Sequence, residues 1–171
     1  VRQLDPATNR FVELAEYNPA TEEPPEDYLR VREASDTRYR VALAEGVTSW
    51  QVVTSLNALD VLEGDVTDIP PEGYLAPDSY EFLPGTEVSE VLEQMVQRQD
   101  RILAEAWAER VDGLPLETAE DALILASIIE KETGVAEERR QVASVFVNRL
   151  NQGMRLQTDP TVIYGITNGE G

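Results

Sequence analysis

The chain has 171 residues, 14 of them basic and 33 acidic, for a formal net charge of −19. That balance excludes a nucleic-acid backbone or an anionic lipid surface as the default partner, because both would repel it. With no His and no Cys, the chain cannot build a Ser-His-Asp or Cys-His nucleophile system, a zinc site of the His/Cys kind or a disulfide.

Any chemistry therefore falls to carboxylates, hydroxyls, amides, Arg and the single lysine, Lys131. The reading implies no metal and no cofactor. The length suits one ordinary domain with a small satellite, and the 42% hydrophobic fraction supports a packed core. No run approaches the roughly 18 apolar residues of a membrane span. The opening at Val1 and the loop-like stretch Asn168-Gly169-Glu170-Gly171 read as the ends of an excised piece.

In chain order, Val1–Leu4 and Phe11–Leu14 can pair around the turn-rich Asp5-Pro6-Ala7-Thr8-Asn9. A charged, proline-bearing linker follows at Glu22–Asp27. Residues 38–44 alternate, with Tyr39, Val41 and Leu43 on one face, as in a half-buried strand. Thr48 and Gln51 form a capping box for a short helix whose apolar stripe is Trp50, Val53 and Leu56. Pro77-Asp78 is turn chemistry and Ser79–Leu83 a short strand. Thr86 is a fair N-cap for an amphipathic helix of about 24 residues, with Met95 and Trp107 inward and Gly113 at its C-terminal cap. Thr118 and Asp121 form a second capping box. The helix they open is apolar all round from Ala122 to Ile129, hence central and buried, and Gly134 ends it. Glu137–Gln152 is a further helix, with Val142, Val145, Phe146 and Leu150 inward and Gly153 as its stop. Met154–Tyr164 reads as loop followed by a helical turn.

On a helical wheel Leu125, Ile128 and Ile129 fall within about 60° of Glu132, while Glu130 lies about 160° away. Glu132 thus extends the apolar stripe in the last helical turn. Desolvation and the negative end of the helix dipole both disfavour its charged form, which suits a proton donor near neutral pH. The structural alternative is an ion pair from Glu132 to Arg139 or Arg140.

Three segments carry a resemblance. Ile124-Leu125-Ala126-Ser127-Ile128-Ile129-Glu130-Lys131-Glu132-Thr133, then Val142–Leu150, then Gly153-Met154-Arg155-Leu156-Gln157-Thr158-Asp159-Pro160 with Thr161–Gly165, look like the YceG-like family, in the family's order. Glu72-Gly73-Tyr74-Leu75-Ala76-Pro77-Asp78-Ser79-Tyr80 resembles its entry motif, with Ser79 where Thr is more usual. The likeness covers about residues 36–171 and is less clear over 1–35.

The resemblance implies an endolytic peptidoglycan lytic transglycosylase, which cuts the MurNAc–GlcNAc bond inside a glycan strand and leaves a 1,6-anhydro-MurNAc end. It implies a single catalytic Glu serving as acid and then base. Similarity to the Glu-Ser motif of other lytic transglycosylases selects Glu132, with Glu130 the runner-up. Gln157 is then a substrate hydrogen-bonder or a loop-capping amide, and Asp159 a direct participant or turn chemistry. Asn148 and Arg149 orient the helix or the saccharide. Tyr164 lines the cleft or packs, and Glu72 reaches the cleft floor or starts a turn. The implied fold is α+β: an N-terminal hairpin and linker (1–35), a LysM-like β/α subdomain (36–69) and a mainly helical, lysozyme-like catalytic portion (72–171). The family's pattern goes on to an Ala/Pro-Tyr-Asn-Thr-Tyr motif and a Gly-Leu-Pro-Pro-Gly-like loop, so the catalytic portion is expected to be cut short. Family members carry a membrane helix, which places the catalytic domain outside the bacterial inner membrane, near peptidoglycan synthases. The competing reading is a non-catalytic peptidoglycan-binding or scaffold module.

Overall fold

The computed structural model describes residues 1–171 except 19, 20, 33, 35, 36, 168, 170 and 171. The expected terminal stretch at 168–171 and the start of the LysM-like unit at Asp36 therefore lie largely outside the described residues. The fold is α+β, in two compact units, Val1–Tyr39 and Arg40–Gly171.

The first unit holds the expected hairpin. Strands β1 (Arg2–Asp5) and β2 (Arg10–Glu13) are antiparallel, with Arg2 opposite Glu13 and Asp5 opposite Arg10. Asp5 closes the turn, accepting from the Ala7 amide at 2.9 Å and the Thr8 hydroxyl at 2.7 Å. The linker expected at 22–27 runs instead into a short helix, α1 (Glu26–Arg32). Its acidic first turn and basic last turn complement the helix dipole. No described residue from 1 to 39 is buried.

The second unit, from Arg40, holds all but the first residue of β3 (Tyr39–Ala42), followed by α2 (Ser49–Asn57). Both halves of the Thr48/Gln51 capping box form. The buried side of α2 is Ser49, Val52, Val53 and Leu56, whereas Trp50 is exposed; the stripe is rotated because Ser49, a small residue, takes the inward position at the helix start. Strand β4 (Leu62–Glu63) runs parallel to β6 (Thr86–Glu87), and β5 (Ser79–Phe82) pairs with β3. Thr86 therefore belongs to a strand, and the N-cap of the next helix is Glu87, with no side-chain cap.

Helix α3 (Val88–Ala108) has 21 residues and packs on α2, β5, β6 and the following helix. Its buried residues, Val88, Val91, Leu92 and Met95, all lie in the first eight positions. Trp107 is only half-buried and stacks under the Arg110 guanidinium at 4.0 Å. The helix ends at Ala108 with Glu109 as C-cap, so Gly113 lies beyond it.

Helix α4 (Ala119–Glu132) starts on the Thr118/Asp121 capping box, again with both halves formed. The Thr118 hydroxyl and then its amide hold the Asp121 carboxyl below the usual Asp range. The helix is not buried all round: only Leu125 and Ile128 are buried, while Ile124 is 53% exposed. A single-turn 3-10 helix at Ala136–Glu138 leads into α5 (Arg139–Asn151), whose Phe146 packs against Leu125 and Ile128. Val142 and Leu150 flank this cluster, but Val145 faces solvent. The end of α5 satisfies its orphan carbonyls as a Schellman motif. Gly153, at φ 65°, donates to the Leu150 carbonyl and Met154 to that of Arg149. The last stretch becomes a nine-residue helix, α6 (Asp159–Thr167), in contact with α4.

Candidate active site

Two acidic residues end α4, and the helix turns them to different partners. Glu130, half-buried, pairs with Arg139 at 3.0 Å, and the same guanidinium reaches Glu45 at 3.4 Å. Arg139 thus serves Glu130 rather than Glu132. Lys131, between them, donates to the Gly46 carbonyl at 2.6 Å.

Glu132 is exposed. The desolvation expected from the Leu125/Ile128/Ile129 stripe is therefore absent, because the stripe turns into the cluster around Phe146 and stops one turn short of the carboxylate. Its Oε2 accepts a hydrogen bond from the hydroxyl of Thr158 at 2.5 Å, across 26 residues of sequence. Thr158 is buried.

That bond brings the segment Gly153–Asp159 to the end of α4. Gln157, next to Thr158, adopts φ 51°, a left-handed conformation uncommon for a non-glycine residue. Its flanks are held: the Arg149 guanidinium donates to the Leu156 carbonyl, and the Thr158 carbonyl accepts from Thr161 through its amide at 3.1 Å and its hydroxyl at 2.7 Å. Arg149 therefore orients this loop. Gln157 itself is exposed.

The other expected residues fall into two groups. Asp159 opens α6 and Tyr164 lies further along it, both exposed, on the helix that contacts α4. Asn148 is exposed on α5. Glu72 sits at the N-terminus of α2, where its two oxygens accept from the Ser49 amide at 3.0 and 3.2 Å. Burial raises the Glu72 carboxyl above the usual Glu range, opposed by the Ser49 amide and by nearby Lys131. The Glu72 carboxylate also abuts Gly169, where a Cβ would lie 2.5 Å from Oε1. Gly73, at φ 85°, lets Leu123 of α4 approach the same motif.

An open polar concavity of about 370 Å³ lies elsewhere, lined by Ser79, Tyr80, Gln94, Gln97, Arg98 and Arg101. Arg98 is committed there to Asp78. Among the described residues, no group of three or more acidic side chains is placed to hold a metal ion, and no helix is long and apolar enough to cross a membrane.

Sequence reasoning missed Thr158 and the Glu45–Arg139–Glu130 link. A Thr is not titratable, and no local pattern joins residues 26 or 85 or more apart. The one available signal for Thr158 was its place next to Gln157 in the third motif.

Comparison with known proteins bears on this geometry. The endolytic murein transglycosylase of Bacillus subtilis (strain 168) is 38% identical over 96 residues, which cover 56% of this chain and 26% of that protein. The protein of the same name from Streptococcus pneumoniae serotype 2 (strain D39 / NCTC 7466) is 33% identical over 93 residues, 54% of this chain and 16% of that protein. The matched stretch thus spans about a quarter or less of these curated relatives. The model of the YceG-like family matches residues 3–171, which includes the N-terminal hairpin that resembled the family less clearly, and the chain belongs to the YceG-like family.

Proposed function

We propose that this chain carries the acid–base centre of an endolytic peptidoglycan lytic transglycosylase, with Glu132 as the single catalytic carboxylate. The observation that carries the reading is the Glu132–Thr158 contact. It leaves the Oε1 of an exposed carboxylate open to substrate and sets it beside the loop that displays Gln157. The alternative, Glu130, is engaged by Arg139. The family and the names of the relatives support the substrate class.

The reaction balances with one carboxyl. Protonated Glu132 gives its proton to the glycosidic oxygen between MurNAc and GlcNAc as the C1–O bond breaks. The carboxylate so formed takes the proton of the same MurNAc's C6 hydroxyl, whose oxygen closes on C1. The product is a 1,6-anhydro-MurNAc end, and the carboxyl returns to its starting form. A hydrolytic glycosidase needs a second carboxylate to attack or to activate water; here the substrate's own hydroxyl is the nucleophile, and positioning replaces the second group. Neither a metal nor a cofactor enters the balance.

Gln157, Asn148, Asp159 and Tyr164 contact the saccharide in this reading. Glu72 acts from the α2 end, holding the entry motif. Residues 36–69 form the LysM-like subdomain and 72–171 the catalytic portion. The protein works on the extracytoplasmic side of the bacterial inner membrane, anchored there and close to peptidoglycan synthases.

The test is to incubate the chain with purified peptidoglycan and read the glycan ends by mass spectrometry. Anhydro-MurNAc ends that vanish in Glu132→Gln and persist in Glu130→Gln are expected. Reducing ends would overturn the lytic step. Retention of glycan with no cleavage would support a non-catalytic peptidoglycan-binding or scaffold module instead.

A further inference from the structure

Among the described buried residues, four carry a hydroxyl: Ser49, Thr133, Thr158 and Tyr80, whose hydroxyl donates to the Ala76 carbonyl at 2.7 Å. Buried hydroxyls are satisfied by hydrogen bonds. That of Ser49 donates to the Pro71 carbonyl and that of Thr133 to the neighbouring Glu138, which settles a loop and a helix end respectively. Thr158 is different. It is 6% exposed, and its hydroxyl reaches across 26 residues of sequence to a carboxylate at the end of α4, whereas that of Thr133 reaches only five residues along the chain.

We propose that Thr158 is a positioning residue that fixes the Glu132 carboxylate through Oε2 and so presents Oε1 to the glycosidic oxygen. The proposal rests on the assignment of Glu132 above. A hydroxyl has one proton to donate, and here it is committed to one oxygen of the pair. At 2.5 Å the contact is at the short end of O–H···O hydrogen bonds. Such a donor stabilises the carboxylate that remains after Oε1 gives up its proton, and leaves Oε1 to collect the proton of the C6 hydroxyl.

The hydroxyl is held rather than free to turn. Thr158 immediately precedes α6, with its own carbonyl bonded twice by Thr161, and the preceding left-handed residue is held by Arg149 at the Leu156 carbonyl. Strain in a left-handed residue with an L side chain persists where surrounding structure over-determines it. Its effect here is to aim a buried donor at an exposed acid.

The experiment compares Thr158→Val, which keeps the shape and removes the donor, with Thr158→Ser, which keeps the donor. Formation of anhydro-MurNAc ends is followed as kcat and KM, with the melting temperature measured alongside. Thr158→Val is expected to lower kcat about 100-fold at an unchanged KM, the scale set by misplacing a reacting group. Thr158→Ser is expected to restore most of the rate. Equal rates for Thr158→Val and wild type overturn the proposal. So does a loss shared by both variants that follows the melting temperature. Glu132→Gln is run in parallel: if it stays active, the assignment of Glu132 fails, whereas an inactive Glu132→Gln beside an active Thr158→Val sinks only the role of Thr158. A second readout does not need turnover. The Thr158 hydroxyl proton is expected as a slowly exchanging NMR signal that disappears in Glu132→Ala, and exchange as fast as a free hydroxyl would contradict the contact.

Discussion

Glu130 and Glu132 show how two residues of spacing decide a role. At ~100° per residue they leave α4 on different sides, and only one of them meets the Thr158 loop. That much was legible in the sequence, because the wheel and the motif both singled out Glu132. The exposure of its carboxylate was not, since a wheel gives direction without saying how far the apolar wall extends. Glu72 carries a residue-scale prediction about pH. Burial raises its carboxyl in the fold, with the Ser49 amide and Lys131 opposing. A folded value above the unfolded one means that ionisation costs the native state more than the unfolded chain. The contribution of Glu72 to stability is therefore fully present below its ordinary value of 4.5 and is lost as pH rises through the higher folded value. Glu72→Gln keeps an acceptor for the Ser49 amide but cannot ionise. Chemical denaturation of both proteins at pH 4 and pH 7 is expected to show wild type losing ground to the variant as pH rises; a difference that grows in favour of wild type would show that the Ser49 and Lys131 contacts outweigh burial.

At the scale of elements, the capping boxes and the first hairpin were legible, whereas the cover over an apolar face was not, and Thr86 and Gly113 lost their expected capping roles to a strand and to an earlier helix end. Both capping boxes formed as read because Ser/Thr and an acceptor three positions on find each other locally. The amphipathic stripe of α3 was likewise visible, but a stripe names the face to be covered without supplying the cover. α2, β5 and β6 pack on α3, and burial is confined to its first eight positions. The later positions lack that cover, so Ile102 is 46% exposed and Trp107 turns to Arg110. The same limit explains α4, whose continuous apolar run predicted burial on every side while Ile124 faces solvent. The consequence is measurable. Met95, fully buried, should cost about 2–5 kcal/mol when changed to Ala, through lost transfer energy and the cavity left behind. Ile102→Ala, on the same helix seven residues further along, should cost well under about 1 kcal/mol, because less of that side chain leaves water. Urea denaturation of the two variants checks the contrast, and equal losses would mean that the distal half of α3 is covered in solution.

The whole molecule is governed by an imbalance that no single contact removes. Acidic residues outnumber basic ones by 33 to 14, so even complete pairing of every Arg and Lys would leave 19 carboxylates facing one another. The pairs that do form, such as Arg40–Glu81, Arg98–Asp78 and Arg139–Glu130, lie at least partly in solvent. Exposed pairs of this kind contribute about 0–1 kcal/mol each and weaken with salt. Salt therefore acts in two opposing ways: it loosens the pairs and it screens the repulsion among the unpaired carboxylates. Repulsion has the greater reach, because unpaired charges interact out to about a Debye length, about 10 Å at 0.1 M. Contact pairs are short-ranged and partly shielded by their own geometry. The melting temperature should accordingly rise as sodium chloride is taken from about 0.01 M, where the screening length is about 30 Å, to 0.15 M, where it is about 8 Å. The rise should flatten beyond that, once only near neighbours still interact. The chemically similar salt potassium chloride should trace the same curve, since screening depends on ionic strength and not on a bound ion. A melting temperature that falls with salt would show that the ion pairs outweigh the surplus charge, and different curves for the two salts would reveal a specific cation site.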